Sequence, residues 1–347
     1  MGEPRKHHYV PKFFLAEFSD NGKSVLQIEK KTGRSYKCAL ADAATARDFH
    51  RLDHDDVADA NEVEKRLAVV EGELAASYHR FLKDGKLYGR NFRRVLELQQ
   101  LMRFRVPGFK DSIRLGLSEL LRSQAVGAAR RGLLPTPPDG LDPEELARSL
   151  EPEILNWKLL EYMFTFAGDE EILGILEDMT PTLYTAPEGA PFITADQPVA
   201  VFNPDAKPED ASGAGLVDRG TEITFPLSHN QLLNLSWREG LAERRPARPE
   251  EAAEFNRRMI VMAKRLVFAP SSMSDIDKTV LKHSKYEAGM QIDTLEVPDG
   301  AYHVSRFRPV YPEATYEGRS EGVRFEHTLL GRKKPVTKKR RRPRPKK

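Results

Sequence analysis

The sequence predicts an α+β protein, with a helical middle flanked by short-stranded β regions and a disordered basic C-terminal tail. Three observations carry this reading. Apolar residues recur at three- and four-residue spacing through much of residues 61–168. Short runs of β-branched and aromatic residues, bounded by turn formers, occur on either side. From Arg332 to Lys347 there are 11 Lys/Arg and no acid. The expected organisation is one α+β domain over residues 1–330, helical at about 61–168 and strand-bearing at about 180–270, followed by a polybasic tail at 331–347.

The elements follow in chain order. Lys6-His7-His8-Tyr9-Val10-Pro11 leads into Phe13, Phe14, Leu15 and Phe18. So dense an aromatic cluster must be packed, which holds the neighbouring histidines in place. Residues 24–29 and 35–40 read as two strands around the turn Lys31-Thr32-Gly33-Arg34. A polar loop, rich in Asp and His, fills 47–59. A helix begins at Asn61 with Val63, Leu67, Val70, Leu74 and Phe81 as its stripe, and another spans about 91–105 on Val95, Leu98, Leu101 and Met102. Pro107 ends that helix or starts the next, which reaches about Arg131; the turn-rich 132–143 joins it to a helical stretch at about 143–166. Strands are expected at 182–186, 192–195, 222–226 and 232–237, with a loop at 203–220. A helix at 249–264 and a strand at 265–269 follow, and the pattern is ambiguous from about Gln291 onwards.

Composition bounds the function. There are 55 Lys/Arg against 52 Asp/Glu, but without the 11 of the tail 44 basic residues remain, so an acidic body carries a basic end. A segment with three prolines and almost no apolar side chain does not fold alone. Its charge suits a polyanion, nucleic acid foremost; a solubilising tail, or one that folds back on the acidic body, is the plainer reading, and nuclear import also fits the residues. The single cysteine, Cys38, excludes an internal disulfide and a thiolate zinc site. No run of about 18 apolar residues exists and no apolar leader core is present, so a cytoplasmic protein without a membrane partner is expected.

Three segments in order carry a resemblance: His8-Tyr9-Val10-Pro11 with its following aromatic cluster, Val63-Glu64-x-x-Leu67 with Glu71, and Phe192-Ile193-Thr194-Ala195-Asp196-Gln197-Pro198-Val199. Phe225-Pro226-Leu227-Ser228 and the stretch from Asn256 to Ala269 add to it. Over roughly residues 6–270 the chain resembles the DUF4238 family, mainly bacterial proteins of unknown function. The family pattern has Ser where Ala195 stands here. The resemblance implies no activity, so the chemistry must come from the residues.

The leading constellation joins His7 or His8 with Asp196 and one or both of Glu64 and Glu71. Imidazole and carboxylate bind divalent metals, here Mg²⁺ or Mn²⁺, that activate water for phosphodiester attack. Pro198 lies two residues beyond Asp196 and restricts Gln197, ending the strand there and projecting the acid from its edge. Glu64 and Glu71 are seven apart and lie nearly in line on a helix. His8 is assigned as ligand or general base, Tyr9 as an orienting phenol, and Glu64, Glu71 and Asp196 as carboxylate ligands. The competing reading has His8 and Tyr9 bonding Asp196 as a structural lock. In a second cluster, His50 and His54 are four apart beside Asp53, as a metal-binding helix or a solvated acidic loop. Arg103 and Arg105 offer phosphate-matching forks near a helix end, or simply complement its dipole. They are assigned to nucleic-acid binding with Lys338, Lys339, Arg340, Arg341 and Arg342 of the tail. The functional expectation is a metal-dependent phosphodiesterase or nuclease; the alternative is a non-enzymatic nucleic-acid-binding or protein-interaction module.

Overall fold

The computed structural model describes residues 5–51, 59–111, 113–114, 131, 161, 163–165, 167–205, 215–297 and 300–313. The expected helical stretch at 143–166 lies largely outside these, as does the basic tail entirely.

The N-terminal third builds two small β pairs and two long helices. In order these are β1 (Lys6–His8), α1 (Lys12–Ala16), β2 (Ser24–Glu29), β3 (Ser35–Ala39), β4 (Thr45–Arg47), α2 (Glu62–Asp84) and α3 (Gly89–Phe104). β2 and β3 form the expected antiparallel hairpin. Its turn needs Gly33, which has φ +68° and whose added Cβ would sit 2.5 Å from the Leu281 side chain. α2 buries Val63, Leu67, Leu74, Tyr78 and Phe81. Val70, expected in that stripe, is exposed, because the line continued from Leu67 passes through Glu71 and Leu74 instead.

Then follow α4 (Glu170–Asp178), β5 (Thr180–Thr185), β6 (Thr194–Ala195), β7 (Ala200–Phe202), β8 (Glu222–Pro226), β9 (Gln231–Ser236), β10 (Arg244–Pro246), α5 (Pro249–Met262), β11 (Leu266–Ala269), α6 (Ile276–His283), β12 (Gly289–Val297) and β13 (Gly300–Arg308). The ambiguous stretch after Gln291 is thus an antiparallel hairpin. One sheet runs β10-β5-β9-β8-β7 and another β3-β2-β11-β6; β1 pairs with β4 separately. Among the described strands the pairings are antiparallel except β10 with β5, and Phe202 of β7 makes a single parallel bridge to Val310. The architecture is α+β.

The aromatic cluster after β1 is packed as its composition demands. Phe14, Leu15 and Phe18 are fully buried, and Phe14 stacks on Phe225 of β8 with ring centroids 5.5 Å apart. This core joins α2 and α3 to the five-stranded sheet, while a second packs α5 against the four-stranded sheet. Fully burying side chains of this size contributes roughly 2–3 kcal/mol each, so the chain immediately after the histidines is firmly anchored. Among the described residues no helix is long and apolar enough to cross a membrane.

Candidate metal centre

β1 pairs antiparallel with β4, placing His7 opposite Ala46. Successive strand residues face opposite sides, so only one of His7 and His8 can enter a given cluster. His7 is the one turned inward, fully buried. The His8 ring goes the other way, its Nε2 lying 3.1 Å from the Leu40 carbonyl.

Beyond β4 the chain turns at Asp48, which has φ +54°, a left-handed conformation that Asp tolerates better than most residues. Arg5 grips its carboxylate at 2.6 Å, and Lys110 donates to the next carbonyl, that of Phe49, at 2.7 Å. The turn lays His50 beside His7, rings parallel within 8° and centroids 5.8 Å apart. The His50 backbone N–H donates to His7 Nδ1 at 3.0 Å. From the first turn of α2, Glu64 meets His50 Nδ1 at 2.8 Å. One ligand atom from each of His7, His50 and Glu64 lies within 4.8 Å of the others, and the trio could hold a metal ion.

The electrostatics suit that role. Burial, opposed by the Glu64 hydrogen bond and reinforced by the charge of Arg105, pushes the His50 pKa down to about 4. The imidazole is therefore neutral at physiological pH, the form that binds metals. Burial would raise the Glu64 carboxyl, yet the hydrogen bond from His50 and the neighbouring His7 and Arg105 hold it below its ordinary value. His50 Nε2 is buried without a hydrogen-bond partner among the described residues, so protein contacts alone leave this ring under-satisfied.

The other sequence-predicted residues are placed elsewhere. Asp196, buried, accepts the backbone N–H groups of Lys264, Arg265 and Leu266 at 2.8, 2.8 and 3.0 Å. It does so because β6 pairs with β11, which aims the acid at the α5–β11 turn. Tyr9 is buried near it, and burial followed by the Asp196 charge raises its phenol further above the ordinary range. Glu71 receives Arg105, whose other amino group donates to the His8 carbonyl. With its side chain wholly inaccessible, Arg105 cannot meet an external polyanion as the sequence reading supposed. Arg103 donates to Gln100 at 2.9 Å and lines a partly open cavity. Asp53 and His54 and the tail residues Lys338, Lys339, Arg340, Arg341 and Arg342 lie outside the described residues.

The site thus merges two sequence clusters that looked separate: His7 and Glu64 from one, His50 from the other. The four-residue spacing of His50 and His54 is a signal only on a helix, and the two donors that the described residues bring to His50 are His7 and Glu64. His50 follows a strand and a turn, so its partners come from distant segments. No local signal announces that β1 and β4 will pair.

The family described as "Protein of unknown function (DUF4238)" matches residues 6–272. The match spans well over half of the chain, which belongs to this family. No curated protein matches, and neither does any solved structure.

Proposed function

We propose that this DUF4238 protein is a metal-dependent phosphodiesterase, acting on nucleic acid, with its metal held by His7, His50 and Glu64. The observation that carries the reading is the convergence, within 4.8 Å, of three donors from β1, the turn after β4, and α2. Such long-range convergence of two buried imidazoles on a carboxylate is costly unless something is gained from it. Two imidazoles and one carboxylate favour Zn²⁺ or Mn²⁺ over the Mg²⁺ that an acid-rich set would prefer. A metal bound there would supply a water of lowered pKa and an electrophile for a phosphate oxygen. The protein's own contribution is orientation: the Asp48 turn fixes the His50 ring, and the β1–β4 pairing fixes His7 beside it. With His50 neutral and Glu64 ionised, both groups already stand in the forms that bind a cation, so loading at neutral pH needs no net loss of a proton from either.

A second reading is a non-catalytic binding module, in which these groups lock the N-terminal strand to the body. The complete satisfaction of Asp196 by backbone donors favours it. One experiment separates the two. Zn²⁺ and Mn²⁺ are titrated calorimetrically into wild type, His50→Ala and Glu64→Gln, with folding checked by circular dichroism, and each loaded protein is incubated with single- and double-stranded DNA and RNA. The enzyme reading expects one ion per chain, affinity at least about tenfold weaker in both variants, and cleavage by wild type alone. Metal binding unchanged in folded variants would remove the centre; metal binding without cleavage would leave the module.

A further inference from the structure

Lined by none of the trio, a partly open cavity of about 170 Å³ lies between the end of α3, the segment after it and the end of α5. An apolar cavity of about 150 Å³ accommodates benzene, so the space suits a ring or a short chain. Met102, Phe109, Val201 and Met262 supply apolar walls, and Gln197 and Arg103 the polar ones. Gln197 is fixed, its amide donating to the Met262 carbonyl at 2.9 Å while its side chain lies against Gly108, where an added Cβ would fall 2.6 Å from it.

Arg103 is the anomaly. Among the described residues its hydrogen bond is to the neutral Gln100 amide, and its guanidinium carbon lies 5.3 Å from the centre of the Phe104 ring. No carboxylate pairs with it among the described residues. The deeply buried guanidinium groups differ: Arg105 has Glu71, Arg257 has Glu254, and Arg258 has Glu222 and Glu254. Although the residue keeps some contact with solvent, burial pushes its pKa down to about 10. The amide nitrogen of Gln100, on the very side chain that accepts Arg103, is itself buried without an acceptor among the described residues. A partly buried cation with no carboxylate beside it among the described residues is poorly compensated, and a planar fork of donors matches a carboxylate.

We propose that this cavity binds a small organic carboxylate with an apolar body about the size of a benzene ring, with Arg103 as its counter-ion. The carboxylate meets the guanidinium, and the body fills the space between Met102, Phe109, Val201 and Met262. This is separate from the metal centre and holds whether or not that centre is catalytic.

Benzoate and benzyl alcohol are the probes, differing in charge and little in shape, and both are titrated in excess EDTA so that a metal-bound carboxylate gives no signal. Methionine methyl resonances report binding, with eight methionines in the chain. Benzoate is expected to shift the Met102 and Met262 signals saturably and to bind at least about tenfold more tightly than benzyl alcohol. Arg103→Met should erase that preference while changing benzyl alcohol affinity by less than about twofold. The wild-type spectra stand without the variant. Benzoate leaving Met102 and Met262 unmoved, binding no better than the alcohol, or binding equally well to folded Arg103→Met would each overturn the proposal.

Discussion

Asp196 is a buried acid whose charge is spent on the backbone. Three N–H groups of the turn between α5 and β11 point at its two oxygens. On the opposite pole of the same connection, the Lys30 ammonium donates to the carbonyls of Val261, Ala263 and Tyr286. The two charges thereby satisfy donors and acceptors that the end of α5 would otherwise leave bare. Burial lowers the Lys30 pKa to about 8 and raises that of Asp196, against the pull of its three donors. Replacing Asp196 with Asn should cost about 3 kcal/mol, since one oxygen becomes a donor facing donors. Urea unfolding measures that loss. Metal affinity of the folded variant is expected to stay within about twofold of wild type, because the trio does not include Asp196. A folded Asp196→Asn protein with strongly weakened metal binding would instead draw this residue into the centre.

At the scale of elements, β10 is a three-residue strand held to α5 by one ion pair. Arg245 grips Glu251 at 2.6 and 2.9 Å, and Glu251 also reaches back to the Arg248 backbone N–H at 2.9 Å, as a residue at the third helical position does in a capping box. The Arg245 bond, opposed by partial burial, lowers the Glu251 pKa from 4.5 to about 2. A depressed carboxyl contributes stability that is present above its unfolded pKa and lost as pH falls through the folded value. Glu251→Gln should therefore cost about 2 kcal/mol at pH 7, and its deficit against wild type should shrink between about pH 5 and pH 2. Thermal melts across that range test it; a constant deficit would mean the pair does not carry the effect. Elements such as β2, β3, α2, α3, β8 and α5 were legible because each has its own periodicity or a turn between two runs. β1, β4, β7 and β10 are three residues each, too short to show a period, and exist only because a partner strand arrives from elsewhere. The same reason hid the metal centre: Glu64 stood on a readable helix, whereas the choice of His7 over His8 and the recruitment of His50 depend on β1 meeting β4.

For the whole molecule, charge distribution sets how a polyanion would approach. Without the 11 basic residues after Gly331, the chain holds 44 Lys/Arg against 52 Asp/Glu, a body of about −8. Such a body repels nucleic acid at long range. Of the two body cations assigned to phosphate, Arg105 is already consumed by Glu71 and Arg103 lines a cavity at the end of α3. Association must then begin at the tail, if nucleic acid is the partner. Truncation after Gly331 is expected to abolish binding to a labelled duplex at about 0.15 M salt, where screening reaches within about 8 Å. At lower salt the full chain should show a steep decline of log affinity with log salt concentration, close to 0.9 per phosphate neutralised, and the truncated chain almost none. If the tail instead folds onto the acidic body, truncation leaves duplex affinity unchanged and lowers the melting temperature. The two outcomes move different observables, so fluorescence anisotropy and a thermal melt on the same pair of proteins decide between a tether and an internal clamp.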